Sequence, residues 1–284
     1  MQPYDSIQTL FFSPTGTTKR VVQAIAHGIA GPKSGTYAAP TLRNLDLTYT
    51  EAPAAQIARE KVTILAVPVY GGHVAPTARQ RLEGIHGAGG PAVVVVVYGN
   101  RAFEHAAVEL AELARRQGFV PIAAAAFVGE HSYSSTATPI AAGRPDAADL
   151  AAAEEFGHRV RQKLDRGDLS PVDASRLKER PTPLFATLRF IGFALGYLCR
   201  QKRNPVVYLP ECDAALCTHC GRCAAICPVG AIARGDETRT DPARCIRCCA
   251  CVKGCPVGAR TFYTPFAAAL SRNFARRKEP VTLL

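Results

Sequence analysis

The stretch Ile7-Gln-Thr-Leu-Phe-Phe-Ser13-Pro-Thr-Gly-Thr-Thr18 decides how the first half of the chain is built. It begins as a short apolar run and turns at a proline and a glycine. It then opens onto residues 19–29, where Val21, Val22, Ile25 and Ile29 recur at helical spacing. An apolar strand feeding a hydroxyl-rich turn and an amphipathic helix is the opening unit of an alternating α/β fold. Later segments repeat the rhythm. Residues 61–68 read as a buried strand, and residues 91–98, with five consecutive valines, as a central parallel strand covered on both faces. Residues 102–117 follow as a helix, 119–128 as a strand and 146–164 as a closing helix, while 41–47 fill the remaining strand position. The expectation is a doubly wound, five-stranded parallel sheet that binds its ligands at the carboxyl ends of the strands.

The loops at those ends carry the chemistry. The hydroxyls of Ser13, Thr15, Thr17 and Thr18, together with backbone N–H groups, suit a phosphate at a helix N-terminus, and Gly16 permits close backbone approach. The turn is neither a Walker loop nor G-x-G-x-x-G, and a plain capping turn is the competing reading. The later strand ends carry Val69-Tyr70-Gly71-Gly72-His73, Tyr98-Gly99-Asn100-Arg101 and Gly129-Glu130-His131-Ser132-Tyr133. Each mixes glycine, an aromatic ring and hydrogen-bonding groups, which suits a flat heteroaromatic ligand held by stacking and edge contacts. His131 reads either as a proton donor or hydrogen-bond partner there or as an ordinary loop histidine, and Tyr133 as packing.

The second half is set apart by its cysteines. Ten of the eleven lie between Cys212 and Cys255, the eleventh is Cys199, and residues 1–198 contain none. Cys217-x2-Cys220-x2-Cys223-x3-Cys227-Pro228 is repeated as Cys245-x2-Cys248-x2-Cys251-x3-Cys255-Pro256, offset by 28 residues at all four cysteines. The identity extends into Pro228-Val-Gly-Ala231 and Pro256-Val-Gly-Ala259, so this is an internal repeat. Its spacing is that of bacterial iron–sulfur runs, in which the fourth cysteine serves the other cluster. Zinc competes for any paired C-x2-C, but zinc ribbons separate their pairs by longer stretches. Three cysteines fall outside the ligand register: Cys249, which stands where the first repeat has Gly221, Cys212 and Cys199.

On these residues the first half resembles the flavodoxins, FMN-binding α/β proteins, with the S/T-x-T-G-x-T loop matched at Ser13, Thr15, Gly16 and Thr18. The second half resembles the bacterial two-cluster 4Fe–4S ferredoxins, and the chain as a whole resembles flavodoxin–ferredoxin fusions. The resemblance implies that Ser13, Thr15, Gly16, Thr17 and Thr18 hold the FMN phosphate. It implies that Tyr70, Gly71, Gly72, Tyr98, Gly99, Asn100 and Arg101 border the flavin, with Glu130, His131 and Ser132 at its polar edge. It assigns Cys217, Cys220, Cys223 and Cys255 to one 4Fe–4S cluster, and Cys245, Cys248, Cys251 and Cys227 to the second. It departs from the flavodoxin pattern in two ways: this half carries a small positive excess where flavodoxins are usually acidic, and the chain has no Trp.

Domain limits follow: a flavodoxin-like FMN domain over 1–165, a linker and apolar connecting helix over 166–206, a smaller ferredoxin-like α+β iron–sulfur domain over 207–264, and a basic tail over 265–284. The connecting helix, residues 184–198, is apolar almost all round. Its expected role is burial between the domains, with dimerisation or interfacial membrane contact as alternatives. The tail reads as a helix with Phe266, Leu270 and Phe274 on one face and Arg272, Arg276, Arg277 and Lys278 as a solvated or partner-docking end.

The 284 residues carry a formal charge of +11 at a mean hydropathy of +0.02, which excludes a largely disordered chain. Most of the positive excess lies in the cysteine half, where two clusters at about −2 each would offset part of it. No basic leader or long apolar run is evident, so a cytoplasmic protein is expected. The function expected is electron transfer between FMN and acidic partner proteins through two 4Fe–4S clusters. The alternatives are an FMN-dependent reductase of a small substrate and a docking subunit of a membrane complex. Nucleic-acid binding is not expected, because the basic residues are not interleaved with aromatics in a recognition module.

Overall fold

The computed structural model describes residue 4 and residues 6–31, 41–49, 54–179 and 181–284. The chain forms two units, one of Met1–Glu130, Gly143–Arg180 and Lys278–Leu284, the other of His131–Ala142 and Pro181–Arg277.

In the first unit the chain runs through β1 (Ser6–Phe11), α1 (Thr17–Ala30), β2 (Thr41–Asp46), β3 (Ala55–Ile57), β4 (Lys61–Tyr70), β5 (His73–Val74) and α2 (Pro76–Leu82). It continues through β6 (Ile85–Gly87), β7 (Pro91–Tyr98), α3 (Ala106–Arg116), β8 (Val120–Val128) and α4 (Ala147–Asp165). Five strands pair in parallel in the order β2-β1-β4-β7-β8. Counting only these strands along the chain, the order is 2-1-3-4-5, that of the flavodoxin-like doubly wound sheet, with its switch point between β1 and the next strand inward. The expected parallel sheet is present, and β5 adds a short antiparallel hairpin onto β4.

The valine run explains the layering. A strand alternates its side chains between faces, and all eight residues of β7 are buried, so both faces must be covered. Ile64, Val93, Val95 and Val97 share one cluster with Val21 and Ile25 of α1 and Phe156 and Val160 of α4. Helices α1 and α4 meet backbone to backbone at Gly28 and Gly157. A Cβ added at Gly28 would stand 2.0 Å from the Glu154 carbonyl oxygen, and one at Gly157 would stand 2.3 Å from that of Ile25.

The second unit holds α5 (Leu184–Arg203), β9 (Glu211–Cys212), α6 (Arg222–Ala225), α7 (Ala250–Lys253), β10 (Arg260–Thr261) and α8 (Pro265–Asn273), with β9 antiparallel to β10. The 28-residue repeat is written into its backbone. His219 and Arg247 (φ 51° and 56°), Gly221 and Cys249 (71° and 57°), and Gly230 and Gly258 (61° and 66°) are all left-handed. After α8 the chain returns to the first unit, where β11 (Val281–Leu283) pairs antiparallel with the outer edge of β8.

Packing draws the limits differently from composition at four places. Residues 166–179, polar and read as linker, pack into the first unit. There Val172 N–H donates to Pro121 O at 2.8 Å, Arg115 donates to Val172 O at 2.6 Å, and Val172, Ala174 and Leu177 are buried. Residues 131–142, read as part of the α/β domain, belong to the second unit. The tail divides: α8 packs on α5, whereas Lys278 is buried in the first unit, its Nζ donating to Arg101 O at 2.5 Å. Helix α5 has no buried residue, which departs from the expected burial between domains.

Candidate functional site

The two cysteine runs fold into two hollows. The first, about 320 Å3, is lined by Cys217, Cys220, Cys223 and Cys255, with Cys212, Glu237 and Arg260 beside them. The second, about 310 Å3, is lined by Cys245, Cys248, Cys251 and Cys227, with Cys249 and Ile232. Each hollow therefore gathers the first three cysteines of one run and the fourth of the other, the crossed sets implied by resemblance. All eleven cysteines are free. Among the described residues no three His, Cys, Asp or Glu side chains converge on one point as a lone-ion site requires. The thiols stand around a hollow instead.

The surroundings suit an anionic iron–sulfur group. Burial pushes Cys248 up to about 12 and Cys251 to about 11, and it also raises Cys245. Burial disfavours the thiolate form of these sulfurs, a cost that an electropositive group bound to them would offset. At Cys255 burial is outweighed by the backbone N–H groups of Arg260, Val257, Ala259 and Gly258, and the thiol is lowered. Ala231 N–H donates to Cys227 Sγ at 3.2 Å. Arg260 is buried and donates to Thr240 Oγ1 at 2.9 Å and to the carbonyls of Glu237 and Arg239, while its Nε has no hydrogen-bond partner among the described residues. A buried guanidinium beside the first hollow favours a negative occupant.

The repeat also contains a pair that the sequence reading missed. Asp213 and Asp241 lie 28 residues apart and do the same work: their side chains accept from Ala215 N–H (2.9 Å) and Ala243 N–H (2.8 Å). Their carbonyls accept from Cys217 and Cys245 N–H at 3.1 and 3.0 Å. Each aspartate thus sets the turn that presents the first cysteine of its run. The shared offset was the available signal.

Cys249 is buried, with its Sγ 3.6 Å from Arg247 O, and occupies the left-handed position that starts α7. Cys212 sits on β9 against the first hollow. Cys199 is exposed on α5.

The loops expected to hold a flavin stand at the carboxyl ends of β1, β4, β7 and β8. Gly16 starts α1 with φ 82°, and a Cβ there would meet nothing within 4 Å, so the position is open in front of the helix N-terminus. Ser13 is fixed from both sides: its N–H donates to Thr48 Oγ1 at 2.8 Å and its Oγ accepts from Lys19 N–H at 3.0 Å. Thr48 is held in turn, because Arg81 donates to Leu47 O at 2.8 Å and Thr48 O at 2.5 Å. Thr48 and Arg81 were not singled out from sequence, since their role exists only once β2 lies beside β1. Thr18 Oγ1 is buried with no hydrogen-bond partner among the described residues, which fits a phosphate oxygen acceptor. No acidic residue stands in the first turn of α1 to oppose an anion.

The Tyr70 side chain is half-buried, Gly71 is exposed and Gly72 is buried. Tyr98 is buried and meets Phe103 edge-on at 5.4 Å, so it packs more than it exposes a stacking face. Asn100 is left-handed and buried, and Arg101 pairs with Glu104 at 2.5 Å. Glu130 accepts from Gly143 N–H at 3.0 Å. His131 and Ser132 belong instead to the second unit, where His131 Nδ1 lies 3.0 Å from Tyr133 N–H. Composition could not separate Glu130 from its neighbour.

Residues 216–259 match the 4Fe-4S dicluster domain family. No curated protein matches the chain at a significant level. Among solved structures the chain is similar to a flavodoxin from the domain Archaea at 13% identity and TM-score 0.35, covering 56% of this chain and 98% of that one. It is similar to a flavodoxin, WrbA-like protein from Agrobacterium tumefaciens at 13% identity and TM-score 0.34, covering 57% and 98%. It also matches the rubredoxin oxygen:oxidoreductase from Desulfovibrio gigas at 11% identity and TM-score 0.39, covering 59% of this chain but only 38% of that one. Strand order carries the fold assignment where such distant likenesses cannot. The chain thus joins a doubly wound α/β unit with the flavodoxin-like strand order to a second unit whose residues 216–259 match the 4Fe-4S dicluster domain family.

Proposed function

We propose that the chain passes electrons between an FMN at the carboxyl ends of β1, β4 and β7 and acidic partner proteins, through two 4Fe–4S clusters held by the crossed cysteine sets. When bound, the flavin supplies one- and two-electron chemistry and each cluster accepts one electron at a time. The observation that supports two clusters is the gathering of Cys217, Cys220, Cys223 and Cys255 in one hollow and of Cys245, Cys248, Cys251 and Cys227 in the other.

The residues divide the work. Ser13, Thr15, Thr17 and Thr18 offer hydroxyls and amides to the phosphate, with Gly16 leaving room. Tyr70, Gly71, Gly72, Gly99, Asn100 and Arg101 border the ring. Tyr98 supports that border from the core, and Glu130 offers a polar edge. Arg260 and the N–H groups that point at Cys227 and Cys255 balance negative charge around the sulfurs. Free thiols throughout suit a reducing compartment, and we place the protein in the cytoplasm. Basic residues around the cysteine runs (Arg222, Arg234, Arg244 and Arg247) offer an acidic partner a docking surface.

The test is the cofactor content of full-length protein purified without oxygen. The expected result is one FMN and two 4Fe–4S centres per chain, with flavin reduction followed by electron delivery to an acceptor. Zinc in place of iron, or iron for a single centre, would overturn the reading.

A further inference from the structure

Helix α5 is apolar on two faces, and only one of them is used. The inner face packs on α8: the rings of Phe190, Phe193 and Tyr197 stand 6.3, 5.1 and 4.7 Å from that of Phe266, and Phe190 stands 5.0 Å from Phe274. Arg189 at the margin is tied to Asn273 at 2.5 Å. The outer face carries Leu184, Leu188, Ile191, Leu195 and Leu198, all between 47% and 73% exposed. Their spacing alternates four and three, so they form a single stripe along the helix. Phe185 flanks the stripe, and the exposed Val206 and Val207 follow the helix. A water-facing helix surface ordinarily carries charge along this line. A continuous apolar stripe of this extent marks an interaction surface.

The charge around the stripe selects the occupant. Residues 181–210 contain Arg189, Arg200, Lys202 and Arg203 and no acidic residue. Arg200, Lys202 and Arg203 cluster in the last turn of α5, where the helix terminus is itself negative and holds them in place. A second copy meeting this face would bring the same cations and none of the opposite charges that flank a paired-helix seam. A span is not available either. Among the described residues no helix is long and apolar enough to cross a membrane, and the inner face of α5 is already packed on α8. A surface that is apolar at its centre and cationic at its edge fits the headgroup region of an anionic bilayer. We propose that α5 lies in the plane of an anionic membrane surface, with Leu184, Leu188, Ile191, Leu195 and Leu198 among the acyl chains and Arg200, Lys202 and Arg203 at the lipid phosphates. This inference is independent of the electron-transfer reading, since it rests on α5 alone.

The experiment is vesicle flotation of the full-length protein with its cofactors. Vesicles of phosphatidylcholine with phosphatidylglycerol are compared with vesicles of phosphatidylcholine alone, at low and high salt. Binding is expected on the anionic vesicles at low salt, reduced about tenfold or more on the neutral ones and at high salt. Leu188→Glu with Leu195→Glu should abolish flotation while the visible iron–sulfur absorbance stays unchanged. Because the chain contains no Trp, Leu195→Trp adds a lone reporter whose emission should shift to the blue on anionic vesicles. Protein that never floats, a double variant that floats as well as the parent, or a dimer in solution dispersed by the same two changes would overturn the proposal. The dimer result would assign the stripe to a second copy.

Discussion

The ring of Tyr133 stands 4.9 Å from that of Phe262, which ties the loop after β8 to the iron–sulfur unit. Lys253 Nζ donates to Ser134 O at 2.7 Å, Ser271 Oγ donates to Pro139 O at 2.8 Å, and Ile140 is buried with Leu270 and Phe274. Burial, with Cys249 nearby, pushes the Tyr133 hydroxyl up to about 12, so it remains protonated throughout the physiological range. Tyr133→Ala should loosen residues 131–142 and cost the second unit about 1–3 kcal/mol. Hydrogen exchange of those amides reads the effect directly, and unchanged protection would show that the ring contact is idle.

Crossed cysteine sets make a specific double-mutant pattern. Cys255→Ala should remove about half the iron, and adding Cys220→Ala should remove no more, because both changes fall on the first hollow. Adding Cys227→Ala to Cys255→Ala should remove nearly all of it. Cys249→Ser should keep the full content, since Cys249 fills the left-handed position that Gly221 fills in the other repeat. Iron analysis with EPR decides between crossed and uncrossed sets.

The Thr18 hydroxyl gives a test of the proposed phosphate site that leaves the fold in place. Thr18→Val keeps the shape and removes only a group with no hydrogen-bond partner among the described residues. FMN affinity should fall roughly tenfold, in line with about 1.5 kcal/mol for a hydrogen bond to a charged group. Riboflavin, which lacks the phosphate, should bind both proteins equally in a fluorescence titration.

Arg144 and Asp149 form a buried ion pair in the first unit, with Arg144 Nε donating to Asp149 Oδ2 at 2.7 Å and Nη1 to Lys278 O at 2.8 Å. Asp149 also completes the capping box of α4 with Asp146. Asp149→Ala strands a buried guanidinium and should cost about 3–5 kcal/mol in urea unfolding. Arg144→Met combined with Asp149→Ala should recover part of that loss, because no unpaired charge remains.

Glu109 supplies a pH-dependent contribution. Burial acts to raise its carboxyl, but hydrogen bonds from His73 at 2.5 Å and Val74 N–H at 3.0 Å outweigh it, and the net effect is a lowered value. A depressed carboxyl stabilises the fold above its ordinary value of 4.5, and that contribution disappears as pH falls through the lowered folded value. Glu109→Gln should therefore destabilise the protein at neutral pH, by no more than about 1 kcal/mol for so exposed a pair. The difference from the parent should vanish in acid. Thermal melts from pH 7 down to pH 3 would show the two curves converging.

Local pattern was enough to read the alternating strands and helices, the turn before α1 and the 28-residue cysteine repeat. Each of these is a periodicity or spacing within a short window of chain. The valines of β7 imply cover on both faces before any partner is known, and four cysteines in eleven residues imply a shared ligand whatever surrounds them. Tertiary structure alone decided which pieces pack together. Residues 166–179 look like linker but hang from three buried apolar side chains. The basic tail returns as an edge strand because β8 has an unpaired side, and the Tyr133 loop crosses into the other unit. The roles of Thr48 and Arg81 depend on neighbours brought in by strand pairing. The outward stripe of α5 was legible only as apolar residues; which of them face water depended on Phe266 and Phe274 taking the other side.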